Sequence, residues 1–275
     1  MRKLKKLPLY VMLLLFGAIT LYPFLYMIAT AFTPNTKYLP YPPIFFPKSF
    51  FLDNFITAIR SNHFGRYFLN STFISIVSMI LALFISSLAA YGFARFKFKG
   101  KEIIFKAFLF SMMVPGMINI VPQFIVIKSL NLVDTYGGLI LLYVGSGIAG
   151  NTFFLRSFFE NIPRELEESV IIDGGGRWTI FTRIILPLSK PALGTFAIFA
   201  FTGYWDEFMQ ALTIIKTPIK MTLPIAIQLF RGTHATDWGL VFAASLIAIV
   251  PIIIIFIVFQ KKLVKGGMME GSIKE

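Results

Sequence analysis

The groups that could do chemistry in this chain are carboxylates, amides and two histidines, and their spacing argues against catalysis. Glu167/Glu168 and Asp206/Glu207 are adjacent pairs. Neighbours in a helix point in different directions, so neither pair converges as an acid–base dyad. His63 and His234 stand far apart, without the spacing of metal ligands. There is no cysteine, which excludes disulfides and thiolate metal sites. The phosphate-cradling pattern G-x-x-x-x-G-K-[ST] is absent. Gly145-Ser-Gly147-Ile-Ala-Gly150 matches G-x-G-x-x-G literally. It sits inside an apolar run with no strand before it, so close helix packing through small residues suits it better than a dinucleotide. No catalytic residue, cofactor or metal is expected on this chain.

What must position these groups is membrane. Hydrophobic residues make up 56% of the 275 and charged residues 14%, against about 25% charged in a soluble domain. Charge-free apolar stretches cover residues 7–36, 67–94, 107–127, 135–155 and 238–260. A membrane helix needs about 20 such residues. A sixth stretch, residues 191–205, is interrupted by Asp206 and Glu207 before apolar sequence resumes. The expected fold is all-α, with six transmembrane helices at about residues 9–31, 69–94, 104–127, 136–155, 191–213 and 239–260, in one domain. The N-terminal apolar run is too long for a signal peptide and is read as a retained span. Of the 26 basic residues, 17 fall in segments that place both termini in the cytoplasm and eight in the opposite loops. The net charge of +13 therefore reads as topology, since basic residues accumulate on the cytoplasmic side, and not as nucleic-acid affinity.

Polar groups at membrane depth are candidates for a translocation path. Asn119 and Gln123 lie four apart around Pro122, on one helix face. Asn151 follows Gly150, and Tyr204, Trp205, Asp206, Glu207 and Gln210 cluster at the end of the fifth span. Acids there face either a watery interior or the outer surface at a helix end. The amides serve either a solute or interhelical hydrogen bonds. Tyr204 and Trp205 suit an interface belt or a sugar-stacking surface.

One long loop, residues 156–190, separates the fourth and fifth spans. Pro163 suits a helix start, and Glu165, Glu167 and Glu168 suit its positive end. Leu166, Val170 and Ile171 make an apolar stripe, and Asp173 with Gly174–Gly176 ends it. A helix of about two turns results. It either floats on lipid headgroups or docks a partner, and its acids, which anionic lipid repels, favour docking.

This loop resembles the EAA loop of ABC importer permeases, which reads Glu-Ala-Ala, two residues, Asp-Gly, and later Ile-x-Leu-Pro. Here the corresponding residues are Glu168-Ser169-Val170, Asp173-Gly174 and Ile184-Ile185-Leu186-Pro187, with Ser169 and Val170 in place of the alanines. The resemblance extends over nearly the whole chain. It runs through Leu21-Tyr22-Pro23, Asn70-Ser71, Ser87 to Arg95, Val114-Pro115-Gly116, Asp134-Thr135-Tyr136 and Trp205-Asp206-Glu207-Phe208, where Asp206 replaces the usual Asn. It points to the carbohydrate-uptake branch, similar to the smaller permease of maltose and glycerol-3-phosphate systems. The resemblance implies the type I ABC importer permease fold in a bacterial or archaeal cell membrane. It implies a second homologous permease, two ATP-binding subunits that carry ATP and Mg, and an extracytoplasmic solute-binding protein. It places the ATPase contact on Glu165, Glu167, Glu168, Ser169, Val170, Ile172, Asp173, Gly174, Leu186 and Pro187. A sugar is the implied solute. Lys216, Lys220 and Arg231 would suit an anion such as glycerol-3-phosphate instead, and a secondary transporter or scaffold is the reading from another class.

Overall fold

The computed structural model describes residues 6–271 apart from 35, 38, 40, 48, 49, 62 and 232–235, with the backbone alone for Leu7 and residues 259–271. His234 and the basic residues Arg2, Lys3 and Lys5 lie outside the described residues. Among those described, the chain is helical: α1 Leu7–Ala31, α2 Asp53–Arg60, α3 Phe64–Arg95, α4 Lys101–Met113, α5 Ile120–Ser129, α6 Tyr136–Glu160, α7 Glu165–Ile172 and α8 Arg177–Ile180. A wide π turn, Phe181–Ile185, continues α8 into α9 Leu186–Leu188, and α10 Lys190–Trp205, α11 Met209–Ile214, α12 Leu223–Leu229 and α13 Trp238–Gly271 follow. Four described helices, α1, α3, α6 and α13, are individually long and apolar enough to cross a bilayer.

The other two apolar stretches are helical but broken. The third span stops at Met113 and resumes at Ile120. Val114 takes extended backbone (φ −81°, ψ 120°) because the ring of Pro115 clashes with a helical residue before it. Pro122 falls in the first turn of α5, where a missing N–H costs nothing. The fifth span ends as α10 at Trp205 and resumes as α11. The arm formed by Arg177–Leu188 meets α10 at a bend of 75°.

The chain divides into two compact units: residues up to 68 with 225–250, and residues 69–224 with 251 onward. In the first, α1 exposes apolar side chains such as Leu14 and Ile19 over most of its length, as a lipid-facing helix does. Its end is tied down by polar bonds. Asn54 donates to the carbonyls of Ala31 (2.8 Å) and Thr33 (2.9 Å), and Thr36 Oγ1 donates to Asp237 (2.8 Å) at the start of α13.

In the second unit, α3 buries a stripe of small residues, Ser78, Ala82, Ser86, Ala90 and Ala94, each four apart. Four-residue spacing keeps them on one helix face. Without a hydrophobic drive between helices in lipid, small residues permit the close backbone approach that packing needs. At one end of this unit Tyr91, Ala94, Leu155, Phe159, Phe181 and Ile185 form an apolar core joining α3, α6 and the 177–188 arm. At the other end, Asn70 accepts from Tyr136 Oη (2.8 Å) and donates to the carbonyls of Ile219 and Met221 (2.9 Å each).

Candidate functional site

Two features of the second unit gather the residues singled out in the sequence: a two-turn knob and a cavity. The knob is α7. Glu165, Glu167 and Glu168 occupy its first turn, where free N–H groups favour negative charge. Its end is fixed by Gly174 at φ +79°, a conformation that costs other residues energy. The N–H groups of Gly174 and Gly175 then close on the carbonyls of Ile171 (3.0 Å) and Val170 (2.7 Å).

Burial divides the ten loop residues into a root and a tip. Glu167 pairs with Arg95, and both side chains are largely buried. The Arg95 guanidinium also donates to the Ile162 carbonyl (2.6 Å). Val170 and Leu186 pack against the apolar core, and Pro187 lies half-buried in α9. Glu165, Glu168, Ser169, Asp173 and Gly174 are exposed, and Ile172 is 85% exposed. Arg177 lies over the Phe96 ring at 4.4 Å. Tyr91 donates from its hydroxyl to the Arg177 carbonyl. The knob is thus anchored on one side and bare on the other, with Ile171 and Trp178 also exposed.

The cavity, about 510 Å³, lies among the α4–α5 break, α5, α6, α10 and α11, within the size range of small-molecule sites. Of the path candidates, Asn151, Tyr204, Glu207 and Gln210 line it. Gln123 accepts a hydrogen bond from Gln210 (2.9 Å), linking the two broken spans. Asn119 precedes α5 and lies off the lining. Trp205 is 2% exposed and stacks on Phe201 at 5.5 Å. Of the two residues read as an interface belt or a stacking surface, Tyr204 lines the cavity and Trp205, buried in packing, does not. Asp206 is exposed and off the lining.

Glu207 holds the fifth-span break together. Its carboxylate accepts from Tyr143 Oη (2.9 Å) and from the N–H groups of Gln210 (2.7 Å) and Ala211 (2.9 Å). This satisfies two donors that the first turn of α11 leaves open. Tyr143 and Tyr204 stack at 5.2 Å with 6° between planes. A methyl at Gly147 would overlap the Tyr204 hydroxyl, so a larger residue there would displace that side chain. Residue-by-residue reading passed over Tyr143, Ser146 and Arg95. For the first two no local signal exists; Arg95 stands out only as the end of the resemblance that begins at Ser87.

Outside the spans, Asp134 closes the loop between α5 and α6. It takes a left-handed φ of 59° and accepts from the N–H groups of Lys216 and Thr217 (2.9 Å each), from the Thr217 hydroxyl, and from Lys220 Nζ (3.2 Å). The Thr217 hydroxyl and these backbone donors hold its carboxyl well below the usual range.

A many-helix membrane subunit with broken spans, a lined cavity and an anchored knob belongs to the class of transport permeases. Comparison with known proteins makes the class specific. Residues 82–266 match the family described as binding-protein-dependent transport system inner membrane component. The chain is 35% identical to the trehalose/maltose transport system permease protein MalG of Thermococcus litoralis, over 98% of each chain. It is 30% identical to the diacetylchitobiose uptake system permease protein NgcG of Streptomyces coelicolor, over 96% of this chain and 87% of that one. A solved bacterial ABC transporter involved in importing the acidic polysaccharide alginate shares the fold, with TM-score 0.83 at 20% identity over 95% and 97% of the two chains. The chain belongs to this family of inner-membrane components: it is the permease subunit of an ABC importer.

Proposed function

We propose that this permease carries a sugar or oligosaccharide across the cell membrane by alternating access, and that α7 is its contact with a partner ATPase. ATP and Mg belong to two partner subunits in this reading, a second homologous permease completes the pathway, and an extracytoplasmic binding protein delivers the solute. The sugar assignment draws support from relatives whose names specify trehalose/maltose and diacetylchitobiose uptake. The observation that carries the coupling role is the division of α7 into a buried, ion-paired root and a bare tip. A helix that only floated on headgroups would not need a buried ion pair at its root. An anchored knob transmits a push as a rigid body, because its root is packed into the same core as α3, α6 and the arm leading to α10.

Gly174→Pro tests this. Proline holds φ near −65°, against +79° in the native turn, so the tip is displaced while the spans are untouched. In proteoliposomes containing the full complex, uptake and binding-protein-stimulated ATP hydrolysis should fall at least tenfold with the permease still inserted. Uptake at the normal rate would show that the tip does not couple.

A further inference from the structure

The cavity has a charge character that the import reading leaves open. Relatives and structural neighbours handle neutral and acidic sugars alike. The polar residues on this lining are Ser146, Tyr204, Asn151, Gln210, one carboxylate, Glu207, and Tyr143, whose buried hydroxyl is already given to Glu207. No Lys, Arg or His is among the lining residues. Glu207 is fixed by three donors of its own chain, so it stays in place whatever enters. Between apolar walls such as Phe199, Met117 and Ile120, a like charge is repelled far more strongly than in water.

The basic residues that would have suited an anion are not on this lining. Lys220 is committed to Asp134, through the carboxylate (3.2 Å) and the backbone carbonyl (2.7 Å). Lys216 offers its backbone N–H to the same carboxylate (2.9 Å).

We infer that the transported solute is an uncharged or cationic oligosaccharide, and that Glu207 is a specificity residue that turns away uronates and sugar phosphates. Hydroxyls and amides donate to and accept from sugar hydroxyls, whereas a second carboxylate or a phosphate would meet Glu207 without a compensating cation on this wall. This rests on the sugar-import reading and adds the charge class of the substrate.

The test is equilibrium binding to the purified permease–ATPase complex without its binding protein, so that only the membrane cavity selects. The probes are three trimers of matched length: maltotriose, the glucosamine trimer and trigalacturonate. Maltotriose or the glucosamine trimer should bind at least tenfold more tightly than trigalacturonate. Glu207→Gln should shrink that ratio severalfold, while Asp206→Asn, which removes an adjacent carboxylate off the lining, should leave it unchanged. Trigalacturonate binding as tightly as the others, no binding of any trimer, or a ratio indifferent to Glu207→Gln would overturn the inference. The wild-type ratio decides the matter even if a variant fails to fold. A complex that still imports a neutral sugar in vesicles while failing these binding tests keeps the import reading and loses only this inference. A chain that does not assemble with ATPase subunits loses both.

Discussion

Arg95 ends α3 and Glu167 opens α7, and the ion pair between them sets where the knob stands. Both side chains are largely withdrawn from solvent. Removing one partner leaves the other charge buried and unpaired, which costs about 3–5 kcal/mol, whereas removing both costs less. Arg95→Ala and Glu167→Ala should each lower the thermal stability of the purified complex and its coupled ATP hydrolysis. The double variant should lose less than the sum of the two. Strict additivity in that cycle would mean the pair is not an energetic unit. The pair also shows what sequence hides at this scale. Gly174 was legible, because a glycine run after an acidic, amphipathic turn announces its own backbone geometry. The Arg95 contact was not, because its partner is chosen by the chain's return through the whole of α6. Glu207 stands out for its depth, yet its bonds to Tyr143 and to the first turn of α11 depend on how the chain folds around the break, which the sequence does not show.

Breaks and clasps are the devices of the element scale. The α4–α5 break was half legible: Pro115 predicts a disturbed helix, but full interruption over residues 114–119 also depends on Gly116 and on the neighbours that line the cavity. The α10–α11 break was half legible too: Asp206 and Glu207 interrupt the apolar run where α10 ends, but they read equally as a watery interior or a helix end. Opposite the knob, Asp134 fastens the α5–α6 loop to residues 216–220. Its carboxyl titrates below the ordinary value near 3.8. A depressed carboxyl contributes stability that is complete above the unfolded value and lost as pH falls through the folded one. The clasp should therefore hold at neutral pH and weaken progressively below about pH 4. Asp134→Asn keeps the shape and removes the charge. Its melting temperature should be lower than wild type at pH 7, and the gap should narrow on acidification to pH 3. A constant gap across that range would show that the charge of Asp134 is not what the loop depends on. The partial exposure of this carboxylate keeps the expected effect modest, on the order of 1 kcal/mol.

At the scale of the whole molecule, the composition that excluded a soluble protein also makes its topology unusually easy to test. The chain has no cysteine, so single cysteines can be placed without first clearing a background. The charge distribution assigns the α7 tip to the cytoplasm and the 216–220 loop to the opposite face. Ile172, 85% exposed at the end of α7, and Lys216, exposed beside the Asp134 clasp, are suitable reporters. Ile172→Cys should react with a membrane-impermeant maleimide only from the cytoplasmic side, and co-assembly with the ATPase subunits should protect it by at least tenfold. Lys216→Cys should react only from outside, with or without those subunits. Both sites labelled from one side would overturn the orientation. Correct sidedness with Ile172→Cys unprotected in the assembled complex would leave the topology standing and move the ATPase contact elsewhere. The two results separate because orientation rests on where Lys and Arg fall in the chain, while the proposed docking rests on the bare tip of α7. Charge counting reads the first directly; the second becomes visible only when the folded loop shows which of its residues the core has already claimed.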